Sequence, residues 1–381
     1  MKFLFICGCI EEGKDGVGDY TKKLALELIR QGNQCSIIAL MDKFIENEEK
    51  WSNTESTLNE LRLPFKNGIK QNGIKAYNWI KEMNFDWISL QYVPFSFDNR
   101  GLHFGLSDLI VKLRIQCKLQ IMIHEMWVGR DEGDSLKQKC LSYFQENIIN
   151  RLLKITSPDL IHTHLPLFSS NINKMGFQCY ELPLFSNIEF IKKTSYENVN
   201  RIFRMTFFSQ IELNQTITNF INNFCSELSV RGLRCEIFLI GGNSDKMKMA
   251  VNFFKSFCPE VDKVIYTGFL NEESLSIMLQ STDLGITPMP IHALGKSGSV
   301  AAFLSHGIPV AIPRSFHKYE KRETNLKKSF FIEELCKSLI SKPNWNEYIS
   351  AKSNAALAKN KISTFAVTKI FLKDLSTYKV R

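Results

Sequence analysis

Two consecutive series of short apolar runs, each run followed by a segment of helical periodicity, constrain the fold of this chain more than any other feature. The first opens with KFLFICGCI, passes through the loop EEGKDGVGD into the helical segment YTKKLALELIRQG, and returns as the apolar run CSIIALMD. Leu24, Leu26, Leu28 and Ile29 lie within the helical segment, Gly32 ends it, and Cys35 to Leu40 is continuous and apolar at strand length. Strand, helix, strand in that order is a βαβ unit and predicts a parallel sheet. Strands at Trp87 to Leu90, Leu119 to Ile123 and Leu160 to Thr163 continue the series, with helices near Leu106 to Leu113 and Leu141 to Leu153. After a polar linker, Lys192 to Asn200, a second series follows: the strands RMTFFSQI, CEIFLIGG and KVIYTGFL, a helix at Glu272 to Gln280, a strand at Asp283 to Thr287, a helix near Ser299 to Ser305 and a strand at Pro309 to Ile312. A chain of 381 residues is too long for one ordinary core. The expectation is two Rossmann-like α/β domains, 1-190 and 203-345, with a helical segment, 346-381, packing back on the first.

With 44% hydrophobic and 23% charged residues the chain is neither disordered nor fibrous. Its formal charge of +9 is spread along the sequence rather than blocked, which argues against a nucleic-acid binder and suits phosphate-bearing small molecules or an anionic membrane surface. Ten cysteines are scattered, mostly inside apolar runs, as in a reducing compartment such as the cytoplasm. Cys7 and Cys9 form a C-x-C pair with no second pair at zinc-ligand spacing, so no metal site is expected. The apolar start, Phe3 to Ile10, imitates a signal peptide but is followed by Glu11 and Glu12 without a cleavage pattern, and a buried first strand accounts for it better. No stretch reaches the ~20 apolar residues that span a bilayer, so membrane contact would be peripheral.

Three stretches carry chemistry. The loop Gly13 to Gly18 leads into a helix directly after the first strand, where backbone N–H groups and a positive helix end can meet an anion. Its spacing, G-x-x-G-x-G, is not the dinucleotide fingerprint, and it fits an ordinary strand-to-helix turn as well. His124 ends the run IMI, which places it at the carboxyl edge of a parallel sheet, where ligand sites form; a packing histidine fits the same position. His162 and His164 share that kind of address without an assigned role. The third stretch, TDLGITPMPIHALGKSGSVAAFLSHGIPVAIPR, runs from a strand through Gly295, Lys296, Ser297, Gly298 and Ser299 into a helix. A cation, two hydroxyls and a helix start can converge there on a diphosphate, although a capped surface helix with a chance lysine reads the same way. The Walker spacing is absent.

These segments together resemble family-4 retaining glycosyltransferases of the GT-B class. GVGDYTKKLALELIRQGN is similar to their glycine-loop start, and DWISLQYVPFSF, IMIHEMW and LPLFSNI to successive landmarks of their amino domain. GFLNEESLSIMLQSTDLGITPMP with GKSGSVAAFLSHGIPVAIP resembles their donor-binding segment, and the similarity spans residues 3 to 314. The resemblance implies two Rossmann-like domains facing each other across a cleft, and transfer of a sugar from a nucleotide diphosphate sugar to a glycan, lipid-linked or small-molecule acceptor in glycan or glycoconjugate synthesis. It implies that His124 lies near the transferred sugar, that Gly16 and Gly18 face donor phosphates or acceptor, and that Lys296, Ser297, Gly298 and Ser299 hold the diphosphate at a helix start. No cofactor or metal is then required.

The chain departs from that pattern in two places. Glutamates common in the family's donor segment fall, aligned on His306-Gly307-Ile308-Pro309, at Leu294 and Ala302. An Arg and a Lys usual after the first strand of the second domain are replaced by Gln210 and by Asn214-Gln215. Two other readings therefore stand beside the transferase: a catalytically silent GT-B protein partnering another transferase, and a nucleotide-sugar epimerase, which needs carboxylates and histidines for acid/base work.

Overall fold

A computed structural model describes residues 1–52, 58–114, 116–129, 134–191, 201–313 and 329–377. The chain divides into two compact units, Met1–Leu182 with the segment from Thr368 onward, and Pro183–Val367.

In the first unit β1 (Lys2–Cys7) leads to α1 (Gly16–Arg30) and β2 (Gln34–Asp42), the order the sequence predicts, although α1 starts at Gly16 within the expected loop and not at Tyr20. An unforeseen pair follows, β3 (Glu49–Ser52) and β4 (Leu58–Pro64), whose interleaved polar and apolar residues form no continuous apolar run. Next come α2 (Gly68–Ile80), β5 (Trp87–Tyr92), α3 (Pro94–Phe97), α4 (Leu106–Leu113), β6 (Lys118–Ile123), α5 (Leu136–Thr156), β7 (Leu160–Thr163), α6 (Pro166–Lys174) and β8 (Tyr180–Glu181). The strands lie in the order β3-β4-β2-β1-β5-β6-β7-β8. Only the β3–β4 edge is antiparallel among the described pairings. β1 sits between β2 and β5, which makes the carboxyl end of β1 the switch point where open α/β sheets receive ligands. Strands β1, β2, β5, β6 and β7 are buried on both faces, which is why they read as continuous apolar runs rather than alternating ones.

The second unit repeats the plan with β9 (Ile202–Phe208), α7 (Gln215–Ser229), β10 (Arg234–Ile240), α8 (Ser244–Phe257), β11 (Val261–Gly268), α9 (Glu272–Gln280), β12 (Leu284–Ile286), α10 (Gly298–Ser305), β13 (Val310–Ala311), α11 (Glu333–Lys337), β14 (Leu339–Ile340) and α12 (Trp345–Ala358). Its order is β11-β10-β9-β12-β13-β14, so the switch point lies between β9 and β12. Each unit has its own apolar core, as two Rossmann-like α/β domains require.

The units differ from the expected domains at both ends. The linker at 192–200 and Arg314 lie outside the described residues. Residues 183–190, expected in the first domain, belong to the second unit together with Ile191: the Ile191 amide donates to Ser276 Oγ at 3.0 Å, Gln280 Nε2 donates to the Ile191 carbonyl at 2.6 Å, and the Phe190 ring lies 5.5 Å from His306. At the other end, α12 does not return to the first unit. Its Tyr348 is 2% exposed and packs on Phe203 and Phe224, 5.1 and 5.9 Å away. Only the last helix, α13 (Thr364–Thr377), joins the first unit, from Thr368, with Phe371 6.1 Å from Phe3. No helix among the described residues is long and apolar enough to cross a membrane.

Candidate functional site

The loop after β1 is built from crowding and capping. Asp15 caps α1, accepting from the amides of Val17 at 2.9 Å and Gly18 at 2.8 Å. The helix's leading N–H groups are thereby engaged by the chain's own carboxylate. Gly18 is buried, and a Cβ there would lie 2.4 Å from the Cys9 carbonyl oxygen, so this glycine lets the helix pack against the loop. Gly16 begins the helix, and a Cβ there would meet nothing within 4 Å. Packing therefore accounts for Gly18 and not for Gly16. Burial raises the Asp15 carboxyl above its usual range.

His124 follows β6, and its amide donates to the Tyr92 carbonyl at 3.1 Å. The ring is 6% exposed. Tyr20 meets it edge-on at 5.0 Å and His164 lies 5.0 Å away, with the Tyr20 and His164 rings 5.3 Å apart. Its Nε2 bonds Gln91 Oε1 at 2.9 Å; an amide oxygen can only accept, so the ring proton is on Nε2 and the lone pair on Nδ1. Burial, with the neighbouring His164, holds His124 well below the ordinary histidine range. At neutral pH it is a neutral imidazole, able to accept a hydrogen bond at Nδ1. His164 donates from Nδ1 to the Leu182 carbonyl at 2.7 Å, and burial pushes it down to about 4. The sequence does not single out Gln91 or Tyr20, and it marks His164 only as a strand-end residue without a role. A glutamine and a serine inside the buried run WISLQY are the signal that was available, because polar side chains on a doubly covered strand need partners.

In the second unit the loop after β12 turns through a 3₁₀ segment, Ile291–Lys296, into α10. Helix α10 packs directly on its strand because Gly285 has no side chain: a Cβ there would lie 2.6 Å from the Phe303 ring. Ser297 is the N-cap, accepting from the Val300 amide at 3.4 Å, and it is 6% exposed. Its hydroxyl also lies 3.1 Å from that of Ser299. Lys296 is half-buried, Ser299 half-buried and Gly298 exposed, with nothing within 4 Å of where a Cβ would stand. A cation, one less buried hydroxyl and a capped helix start with an exposed glycine thus adjoin along the chain beyond β12. Leu294 and Ala302 are 1% and 0% exposed, inside the apolar cluster that contains Phe303 and Val300. Apolar residues at both positions pack that core. Asn214, where a cation would be usual, caps α7 by accepting from the Ile217 amide at 3.0 Å.

The chain resembles solved structures along nearly its whole length. Anabaena Alr3699/HepE, solved in complex with UDP and glucose, matches with a TM-score of 0.57 at 12% identity over 99% of this chain and 100% of that one. The lipopolysaccharide outer core galactosyltransferase WaaB, in its apo form, gives a TM-score of 0.55 at 12% identity over 100% of both chains. A putative UDP-N-acetylglucosamine 2-epimerase from Listeria monocytogenes gives 0.57 at 10% identity, over 99% of this chain and 96% of that one. At such identities the likeness establishes the fold, the two Rossmann-like domains of the GT-B class. No family model matches the chain, and no curated protein matches its sequence.

Proposed function

We propose that this protein is a glycosyltransferase that takes a sugar from a nucleotide diphosphate donor and holds the diphosphate at the start of α10. One placement carries the reading: Lys296, Gly298 and Ser299 stand at the capped N-terminus of a helix that begins beside the switch point of the second sheet. Solved proteins of this fold include one crystallised with UDP and glucose, which supports the same class of donor. As the sugar departs, charge grows on the diphosphate, and a fixed cation and helix start stabilise it more than the ground state, without a metal. Ser297, buried and engaged as the cap, holds that helix start in place. His124 serves the transferred sugar or the acceptor through Nδ1. Retention of configuration and a glycan or lipid-linked acceptor follow the resemblance to family-4 enzymes.

The expected result for Lys296→Ala is a loss of ~1.5–3 kcal/mol in UDP or GDP binding, the range for a charge-assisted hydrogen bond. Calorimetry on the folded variant reads it, and unchanged affinity would remove Lys296 from the donor site. For His124→Ala, single-turnover transfer should fall on the order of a hundredfold while nucleotide affinity holds. Near-normal transfer by a folded variant would end the assignment. Burial of Leu294 and Ala302 in the apolar core favours one other reading, a silent GT-B partner of another transferase. A screen of nucleotide sugars for slow donor hydrolysis separates the two, since a silent protein hydrolyses none.

A further inference from the structure

A line of hydrogen bonds runs through the first unit from His124 to the last helix. His124 Nε2 bonds Gln91 Oε1 at 2.9 Å, Gln91 Nε2 donates to Ser89 Oγ at 2.7 Å, and Ser89 Oγ donates to Gln120 Oε1 at 2.5 Å. Gln120 Nε2 meets His162 Nδ1 at 3.2 Å, and His162 Nε2 meets Asp374 Oδ2 at 3.2 Å. Sheet register explains the alignment. Ser89 lies opposite Gln120 and Met122 opposite His162, while Gln91 and His124 are each two residues along their chain from Ser89 and Met122, so all project from one face. Helix α13 covers that face, with Phe371 5.8 Å from the His162 ring. Gln91, Ser89, Gln120 and His162 are each at most 1% exposed, so no water competes for these bonds.

Amide chemistry makes the line directional. Gln120 Nε2 can only donate, so His162 accepts at Nδ1, carries its proton on Nε2 and gives it to the carboxylate. The same logic puts the His124 proton on Nε2. Reversing the line would need both glutamine amides turned over, and it would aim a His162 lone pair at the Asp374 carboxylate. We infer that Asp374 is a positioning residue: by accepting from His162 it sets the direction of the whole line and so keeps the lone pair of His124 on Nδ1. Burial holds both histidines below their ordinary range, so the line transmits a tautomer and not a charge. Glutamine amides do not pass protons on, and no proton travels along it.

This inference rests on the functional reading of His124, and its test separates the two. Full-length protein labelled with ¹⁵N-histidine reports the tautomer by NMR, with the His124 signals assigned by their loss in His124→Ala. Wild type should show a protonated Nε2 and a bare Nδ1. Asp374→Ala removes the carboxylate, and His124 should then divide its proton between the two nitrogens; kcat should fall about tenfold or more with UDP or GDP affinity unchanged. Should that variant not fold, Ser89→Ala cuts the line in the middle and should give the same spectrum. A His124 that keeps its proton on Nε2 in these variants overturns the positioning role. A redistributed proton with undiminished transfer supports the line and instead overturns the place of His124 in the reaction.

Discussion

Lowering the pH from 7 to 4 should unfold the first unit before the second. Four histidines of the first unit are buried and held below their ordinary value, with burial the leading cause in each: His103 and His164 down to about 4, His124 well below 6.5, and His162 lowered despite Asp374. They are neutral in the folded protein, whereas the unfolded chain protonates them near 6.5. Below that pH the unfolded state binds more protons, so stability falls as pH falls. The contribution is complete above about 6.5 and is lost progressively down to about 4. For His103 and His164 the gap from 6.5 to about 4 corresponds to on the order of 3 kcal/mol apiece, against a total stability of roughly 5–15 kcal/mol for a domain. His103 shows the cause plainly: it is 5% exposed, with its Nε2 2.7 Å from the buried Tyr92 hydroxyl. In the second unit His306 is the one buried histidine moved the same way among the described residues. Hydrogen exchange by mass spectrometry, referenced to intrinsic exchange at each pH, resolves the units. Earlier opening of the second unit would refute this account.

Replacing Arg62 by leucine should cost ~3–5 kcal/mol, the loss expected when one partner of a buried ion pair is removed. Its guanidinium gathers three carboxylates, Asp42 at 2.8 Å, Glu11 at 2.6 Å and Glu49 at 3.0 Å. The three are not equal. Glu11 and Glu49 are 39% and 40% exposed, and pairs of that kind contribute at most about 1 kcal/mol. Asp42 is 0% exposed, and Arg62→Leu leaves its charge buried with, among the described residues, the Phe44 amide and the Cys9 thiol as its remaining donors. Urea unfolding should therefore show Arg62→Leu as severe and Glu11→Gln and Glu49→Gln as mild, with the double variant Arg62→Leu, Asp42→Asn recovering most of the loss. Failure of the double variant to recover would place the cost in packing of the arginine stem instead. Glu11 lies in the loop after β1, so the mild variants also test whether that loop depends on the arginine.

What could be read without the structure was local. Helices Leu106–Leu113 and Glu272–Gln280 and strand Leu160–Thr163 appear with the bounds their periodicity and apolar runs predict, because period and run length belong to neighbours in the chain. The preference of aspartate and asparagine for N-caps is equally local, and Asp15 engages the first helix start in keeping with it. The β3–β4 edge was illegible because EKWS and LNELRLP carry no continuous apolar run. The start of α10 was visible as a glycine-bearing segment entering a helix, but that Ser297 is buried as its cap while Gly298 stays open depends on how the helix lies against Gly285.

By itself the sequence determined two α/β series, their strands and helices, and the segments that reach the sheets' carboxyl edges, since burial of both faces writes itself into consecutive residues. Only the tertiary structure decided which polar groups meet. His162 and Asp374 are 212 positions apart, and Gln91 and His124 are 33 apart on neighbouring strands. A hydrogen bond between them requires strand order, register and the docking of the last helix to be settled together, and none of these leaves a mark on the spacing of residues along the chain.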